Sequence, residues 1–390
     1  MKRRLPATVV ALGVVSLLTD LSSEMIYPLL PVFLTTVLAA GPATLGVIEG
    51  IAESTAALLK LASGVWADRV RRRKPLVVVG YTLAGAVRPL IGLAGSWPVV
   101  LGLRFADRVG KGVRTSPRDA LIADAVPAGD RGRAFGLQRA MDHAGAVAGP
   151  LVAAALLTLE GMSLRHVFLL AAIPAAAVVI VLAVSVHEPV RDVVSPQATS
   201  LRAGLGALGT PFRRIMLAVL LFTLGNSTDA FLLLRLTGVG LSAAAVALVW
   251  AAFHVVKMTA AWIAGGLSDR VGRRPLVLAG WLWYAAIYVL FAVVASPRLL
   301  IAVFLAYGLY YGLTEPVEKA WVGDLAPPDH RGTAFGVYNA VVGLAALPAS
   351  ILFGLIWRFA GAPAAFATGA CFAAAAAGVI ATVRSAKPSG

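Results

Sequence analysis

The chain has 390 residues, 59% of them hydrophobic and 14% charged, whereas an average soluble domain is about 25% charged. Apolar runs recur throughout its length, which excludes a single soluble core and points to a polytopic membrane protein. The net charge of +15 would suit a nucleic-acid binder, so the placement of the charges decides what it means.

A membrane-crossing helix needs about 20 apolar residues, and twelve candidate segments are present. In the first half they run 8–36, 43–66, 75–94, 98–125, 132–158 and 164–186. In the second they run 212–236, 241–267, 275–295, 299–325, 332–357 and 362–383. Of the 34 Lys and Arg, 20 fall at the termini and in alternate loops, the 69–74 and 270–274 stretches among them. Only Arg165, Arg298 and Arg358 lie near the opposite, shorter loops. Retention of positive charge on one side places both termini in the cytoplasm. The basic excess then reports topology, with anionic headgroups of the membrane lipid as its partner and no role for nucleic acid. The N-terminal Met1-Lys2-Arg3-Arg4 imitates a signal peptide, but the apolar run continues past Asp20 and Glu24 to Pro31 without a small-residue cleavage site. It reads as an uncleaved first span. Residues 187–211 are polar and rich in Pro, Ser and Gly, as in a linker. The expected organisation is a six-helix bundle over 1–186, a cytoplasmic linker over 187–211 and a second bundle over 212–390.

One stretch occurs twice. Gly64-Val65-Trp66-Ala67-Asp68-Arg69-Val70-Arg71-Arg72-Arg73-Lys74-Pro75 is echoed by Gly265-Gly266-Leu267-Ser268-Asp269-Arg270-Val271-Gly272-Arg273-Arg274-Pro275. Each copy joins two apolar segments, so each is a short reversing loop. Small residues there let helix ends approach closely, and the Asp can accept hydrogen bonds from arginines or free helix N–H groups. A second echo sets Asp124 to Gly136 against Asp324 to Gly336, where Asp, Pro, Arg-Gly and Ala-Phe-Gly recur 200 residues apart. The chain is a tandem repeat of two halves.

The G-x-x-x-D-R-x-x-R-R pattern between the second and third spans resembles the signature loop of the major facilitator superfamily, and the resemblance covers essentially the whole chain. It implies an all-α membrane protein of twelve transmembrane helices in two pseudo-symmetric halves, transporting solute by alternating access. By the same resemblance Gly64, Asp68, Arg69 and Arg72, with Gly265, Asp269, Arg270 and Arg273, form a conformational gate on the cytoplasmic side. Gly145, Gly149 and Pro150 in the fifth span resemble the G-x-x-x-G-P motif of the superfamily's drug–proton antiporters, which favours export. The eleventh span has only Gly343 and Pro348 at comparable places.

Twenty-one charges remain inside spans, and spans three, six, nine and twelve hold only Arg88. In the superfamily those spans face lipid, where a charge costs at least about 2.5–3.5 kcal/mol, so the other charges should point inward and pair. The fourth span carries Arg104, Arg108, Lys111, Thr115 and Arg118 along one stripe, bordered by Asp107, Arg114 and Asp119. Leu101-x-x-Arg104 followed by Gly110 resembles the superfamily's fourth-span arginine motif, with Asp107 and Arg108 departing from it. Acids that can answer the stripe are Asp20 and Glu24 in the first span, Glu49 and Glu53 in the second, and Asp142 beside Arg139 in the fifth. The second half adds Asp229, His254, Lys257, Glu315 and Glu318. Inter-helix salt bridges account for part of this set, but an intramembrane ionisable cluster also marks a solute or proton path.

No nucleophile or metal-ligand constellation is present in the sequence, and His143, His166 and His187 lack ligand spacing. The single Cys371 excludes an intrachain disulfide. The expectation is therefore a monomeric secondary transporter of the inner membrane, with no cofactor and no metal. It moves a small-molecule substrate coupled to protons, by efflux or alternatively by uptake of an organic anion. A non-transporting membrane sensor is the alternative of another class. The resemblance places the proton carrier at Asp20 and Glu24, opposite Arg104, with Glu53 in reserve.

Overall fold

The computed structural model describes residues 4–39, 42–188, 201–227, 229–239, 241 and 243–383, with the side chains at 31, 35, 42–54, 230, 237 and 243–247 left aside. Among these residues the chain is helical throughout and holds no strand. The first half comprises α1 (Ala7–Glu24), α2 (Pro42–Arg69), α3 (Lys74–Val87), α4 (Trp97–Asp124), α5 (Arg131–Leu157) and α6 (Leu164–Leu170, continuing as Ala172–Ser185). A short helix over Leu201–Ala207 leads into α7 (Thr210–Gly225). The second half continues with α8 (Ala230–Gly238), α9 (Ala243–Val271), α10 (Arg273–Val293) and α11 (Pro297–Leu325). Last comes Arg331–Thr382, which Gly361 at φ 85° divides into α12 (331–360) and α13 (362–382).

Each segment expected from hydropathy is helical over most of its described residues. Among the described residues, however, eight helices are long and apolar enough to cross a membrane, or nine if a bent pair counts as one span. The difference from twelve has physical causes. The seven basic and acidic side chains from Arg104 to Asp119 lower the hydropathy of α4, and Glu49, Glu53 and Lys60 do so in α2. The seventh expected span is broken between α7 and α8 at Asn226, and the last two run together across Gly361.

The chain forms two compact units. Unit 1 contains residues 1–126, 141–205 and 328–340; unit 2 contains residues 127–140, 206–327 and 341–390. The opening turns of α5 thus belong to unit 2, and those of α12 to unit 1. In unit 1, α4 packs against α2 and α3, and α1 packs against α6. In unit 2, α11 packs against α9 and α10. Glycines set these distances: a Cβ on Gly80 would lie 2.6 Å from the Gly110 carbonyl oxygen, so α3 and α4 touch backbone to backbone.

Candidate functional site

Two kinds of site emerge, one at the repeated loops and one within the spans. At the α2–α3 loop, Asp68 is fully buried and its carboxylate caps the start of α12, accepting from Gly332 N at 2.8 Å and Thr333 N at 2.6 Å. An acid at a helix N-terminus satisfies free N–H groups and complements the helix dipole. Arg73 donates to Asp68 at 3.0 Å and also reaches Asp124, which in turn holds Arg331. Unit 2 repeats the device. Asp269 accepts from Gly132 N and Arg133 N, both at 2.8 Å, while Arg273 donates to Asp269 at 2.6 Å and to Asp324 at 2.9 Å. Arg131 closes that ring on Asp324 at 2.7 Å. Gly64 faces Gly332 and Gly336, and Gly265 faces Gly132 and Gly136, so closely that a side chain at either would meet backbone.

One expectation needs correction here. The partner of Asp68 is Arg73, whereas Arg72 is exposed, as are Arg69 and Arg270. The first loop is one residue longer: six residues separate Asp68 from Pro75, and five separate Asp269 from Pro275. Matching the loops on proline pairs Arg73 with Arg273; matching them on aspartate does not. The shorter loop turns through Gly272 at φ 91°, a conformation that favours glycine, and the longer one needs no such residue.

Within the spans, Asp107 of α4 is the hub of unit 1. It is fully buried and accepts from Arg88 at 2.8 Å, Arg104 at 3.2 Å, Arg108 at 3.5 Å and the Tyr27 hydroxyl at 2.8 Å. The Arg104 guanidinium also lies 4.0 Å over the Tyr27 ring. Arg88, a charge on a helix expected to face lipid, is 4% exposed and points inward. Its role was legible only in part: an arginine alone in an apolar span needs a carboxylate, but the sequence does not say which. Further along α4, Arg118 pairs with Asp119 at 2.9 Å and donates to Tyr81 at 3.3 Å.

Asp20 and Glu24 of α1 are half-buried, and among the described residues neither carboxylate accepts a hydrogen bond or ion pair. The strongest electrostatic neighbours of Asp20 are Asp142, Glu24, Arg114 and Lys111; those of Glu24 are Arg88, Lys111, Arg108 and Arg104. Glu24 thus lies among four cations, Arg88 foremost, and Asp20 lies between two acids and two cations, with no bond from either acid to a guanidinium among the described residues. The fifth-span motif belongs to the same place. A Cβ on Gly145 would lie 2.9 Å from Asp20 Cβ, and one on Gly149 would lie 2.6 Å from Glu24 Cβ. These two glycines seat α5 on α1 at the two acids. Glu49 and Glu53 fall outside the described side chains.

Unit 2 is built differently. Asp229 accepts from Tyr307 at 3.0 Å and Tyr311 at 2.9 Å, and the Lys257 ammonium sits 3.5 Å over the Tyr311 ring. Tyr284, Tyr288, Tyr307 and Tyr310 are buried together, and Trp281 Nε1 donates to Glu318 at 3.1 Å. His254 packs edge-on against Trp250 at 5.0 Å, and Arg139 pairs with Glu315 at 3.5 Å. The tyrosine cluster was missed by a reading that weighed charges alone; the spacing of Tyr307, Tyr310 and Tyr311 along α11 was the available signal.

Comparison with known proteins fits this architecture. The family model of the Major Facilitator Superfamily matches residues 12–239 and again 215–390. An uncharacterized MFS-type transporter of Methanocaldococcus jannaschii is 33% identical over 364 residues, covering 91% of this chain and 90% of the relative. The multi-drug resistance efflux pump PmrA of Streptococcus pneumoniae is 24% identical over 320 residues, 80% of this chain and 79% of the pump. Among solved structures, the human organic anion transporter MFSD10 superposes with a TM-score of 0.81 at 18% identity, covering 96% and 99% of the two chains. The Escherichia coli fucose:proton symporter FucP gives 0.80 at 15% identity, covering 97% and 98%. These last two bear on fold alone. A repeated helical architecture, duplicated Asp-capped loops and a family match to both halves agree: this chain belongs to the major facilitator superfamily, as a multi-pass membrane transporter rather than an enzyme.

Proposed function

We propose that the transporter couples movement of a small organic solute to protons, with Asp20 and Glu24 as the proton carriers. The observation that carries this reading is a pair of half-buried carboxylates without hydrogen-bond or ion-pair partners among the described residues, set beside Lys111 and a row of arginines. Carboxylates so placed can exchange one stabiliser for another, a proton in one state and a neighbouring guanidinium in the next. Seating of Gly145 and Gly149 on these residues supports treating motif and acids as one device. Glu53 remains the reserve carrier.

The fifth-span motif and the likeness to a multi-drug resistance efflux pump favour export by antiport. A second reading, proton-linked transport of an organic anion, is favoured by the three guanidinium groups gathered on the single carboxylate of Asp107. In either case the loops capped by Asp68 and Asp269 act as the gate: breaking them shifts the population of states without touching the solute. The protein works as a monomer in the inner membrane with both termini and the 187–211 linker in the cytoplasm.

Proteoliposomes with an imposed pH gradient test the coupling, using ethidium as cationic probe and benzoate as anionic probe. Asp20→Asn and Glu24→Gln should each leave a folded protein that exchanges probe across the membrane, and at least one should lose its response to the gradient. Full gradient-driven transport by both variants overturns the assignment.

A further inference from the structure

Among the described residues, Arg114 is the one guanidinium of α4 without a hydrogen bond or ion pair. It is 7% exposed, and among the described residues it makes no hydrogen bond and no ion pair, its Nε lying buried without a partner. Its flanking cations are committed elsewhere. Arg88 is held by Asp107 at 2.8 Å, and Arg118 by Asp119 at 2.9 Å. A guanidinium almost wholly withdrawn from water with a buried Nε–H left unbonded is costly, so such a group is ordinarily found paired.

The surroundings fix Arg114 in place without satisfying it. Its guanidinium lies 3.8 Å over the face of the Tyr81 ring, while the Tyr81 hydroxyl is used by Arg118. Behind it, a Cβ on Gly80 would come within 2.7 Å of Arg114 Cβ, so α3 blocks the stem from swinging back. Ring stacking engages the face of the fork and leaves its edge, which carries the N–H groups, for a planar oxyanion. Among the described residues, the charged and titratable groups around it are Tyr81 of α3, Arg88 at the end of that helix, Arg118 of α4 and Asp20 of α1. Asp20 in turn faces Asp142, Glu24 and Lys111.

We infer that Arg114 holds the oxyanion of an organic-anion substrate, a carboxylate or phosphate taken bidentately on a guanidinium stacked against Tyr81. The inference rests on the second reading above, transport of an organic anion past Asp20, and there it gives symport in place of the antiport of the first reading. Ionised Asp20 is within electrostatic reach of Arg114 but makes no bond to it, so it would repel an anion held there; protonation of Asp20 relieves that repulsion. Proton and anion therefore bind together and travel in the same direction, whereas a cationic solute would compete with the proton.

The test uses the purified full-length chain in detergent, with binding of benzoate, phenyl phosphate and tetraphenylphosphonium followed by calorimetry and thermal unfolding. Benzoate or phenyl phosphate should bind wild type saturably, the preferred one identifying the oxyanion, and tetraphenylphosphonium should not. Arg114→Gln should weaken anion binding by roughly tenfold or more, and Arg114→Lys, which keeps charge but loses the fork, by several-fold. Wild-type affinity should rise as pH falls, by up to about tenfold per pH unit, and Asp20→Asn should bind more tightly with a flattened pH profile. Absence of anion binding to wild type, or equal affinity in wild type and both Arg114 variants, overturns the inference. Unchanged anion affinity and pH profile in Asp20→Asn overturn the link between Arg114 and Asp20, while the proton-carrier reading above is judged separately by gradient-driven transport.

Discussion

The two units share a repeat but not a chemistry. Positions 88 and 107, which follow the repeated loop, have their counterparts at 288 and 307. In unit 1 these are Arg88 and Asp107, joined at 2.8 Å, with the Tyr27 hydroxyl on the same carboxylate at 2.8 Å. In unit 2 they are Tyr288 and Tyr307, where Tyr288 shares a hydrogen bond of 3.2 Å with Ser227 and Tyr307 donates to Asp229 at 3.0 Å. The same helical frame thus supports an ionised cluster in one unit and a largely neutral phenolic cluster in the other. A phenol can be buried at modest cost because a single hydrogen bond satisfies it, but buried ions must be matched charge for charge. The ionic version therefore depends on every member staying in place, and it can respond to a proton or an anion. The phenolic version can lose a hydroxyl and keep its packing.

The largest expected effect breaks the comparison at its hub. Asp107→Asn leaves Arg88, Arg104 and Arg108 buried around a neutral amide, and loss of one partner from such a cluster costs about 3–5 kcal/mol. Unfolding of the purified variant in detergent should show a correspondingly lower midpoint, with reduced yield. A midpoint within error of wild type would mean that the three arginines have other counter-charges.

An intermediate effect sharpens the correction at the loops. Arg73→Ala removes charge-assisted bonds to two carboxylates and should cost about 2 kcal/mol, while exposed Arg72→Ala should stay within about 0.5 kcal/mol. The same pair of variants should differ in transport rate, Arg73→Ala being the slower. Equal behaviour would return the gate to the aspartate-matched alignment.

The smallest effect lies in unit 2. Tyr307→Phe keeps the ring and removes one of two hydroxyls on Asp229, leaving Tyr311 at 2.9 Å, so a loss of about 1 kcal/mol is expected. A loss as large as that of Asp107→Asn would show that the phenolic cluster is as tightly interdependent as the ionic one.

What the sequence determined by itself was whatever repeats or follows a single axis. Hydropathy located the helices, the tandem echo at Asp68 and Asp269 divided the chain, and the isolated charge stripe marked α4 as the ionic helix. Those features are local or periodic, so each can be read from one residue and its neighbours a few positions away. Tertiary structure decided which charges are spent and which are left. Asp107 could have answered any of several arginines; packing of α3 on α4 gave it Arg88, and Tyr27, just past the end of α1, gave it a hydroxyl. Contact between Gly145, Gly149 and the acids of α1 joined two motifs that lie about 120 residues apart in the chain. Arg114 reads in sequence like its neighbours on α4, and only three-dimensional packing leaves it without a carboxylate bond among the described residues, because pairing depends on the side chains that other helices bring within about 3 Å.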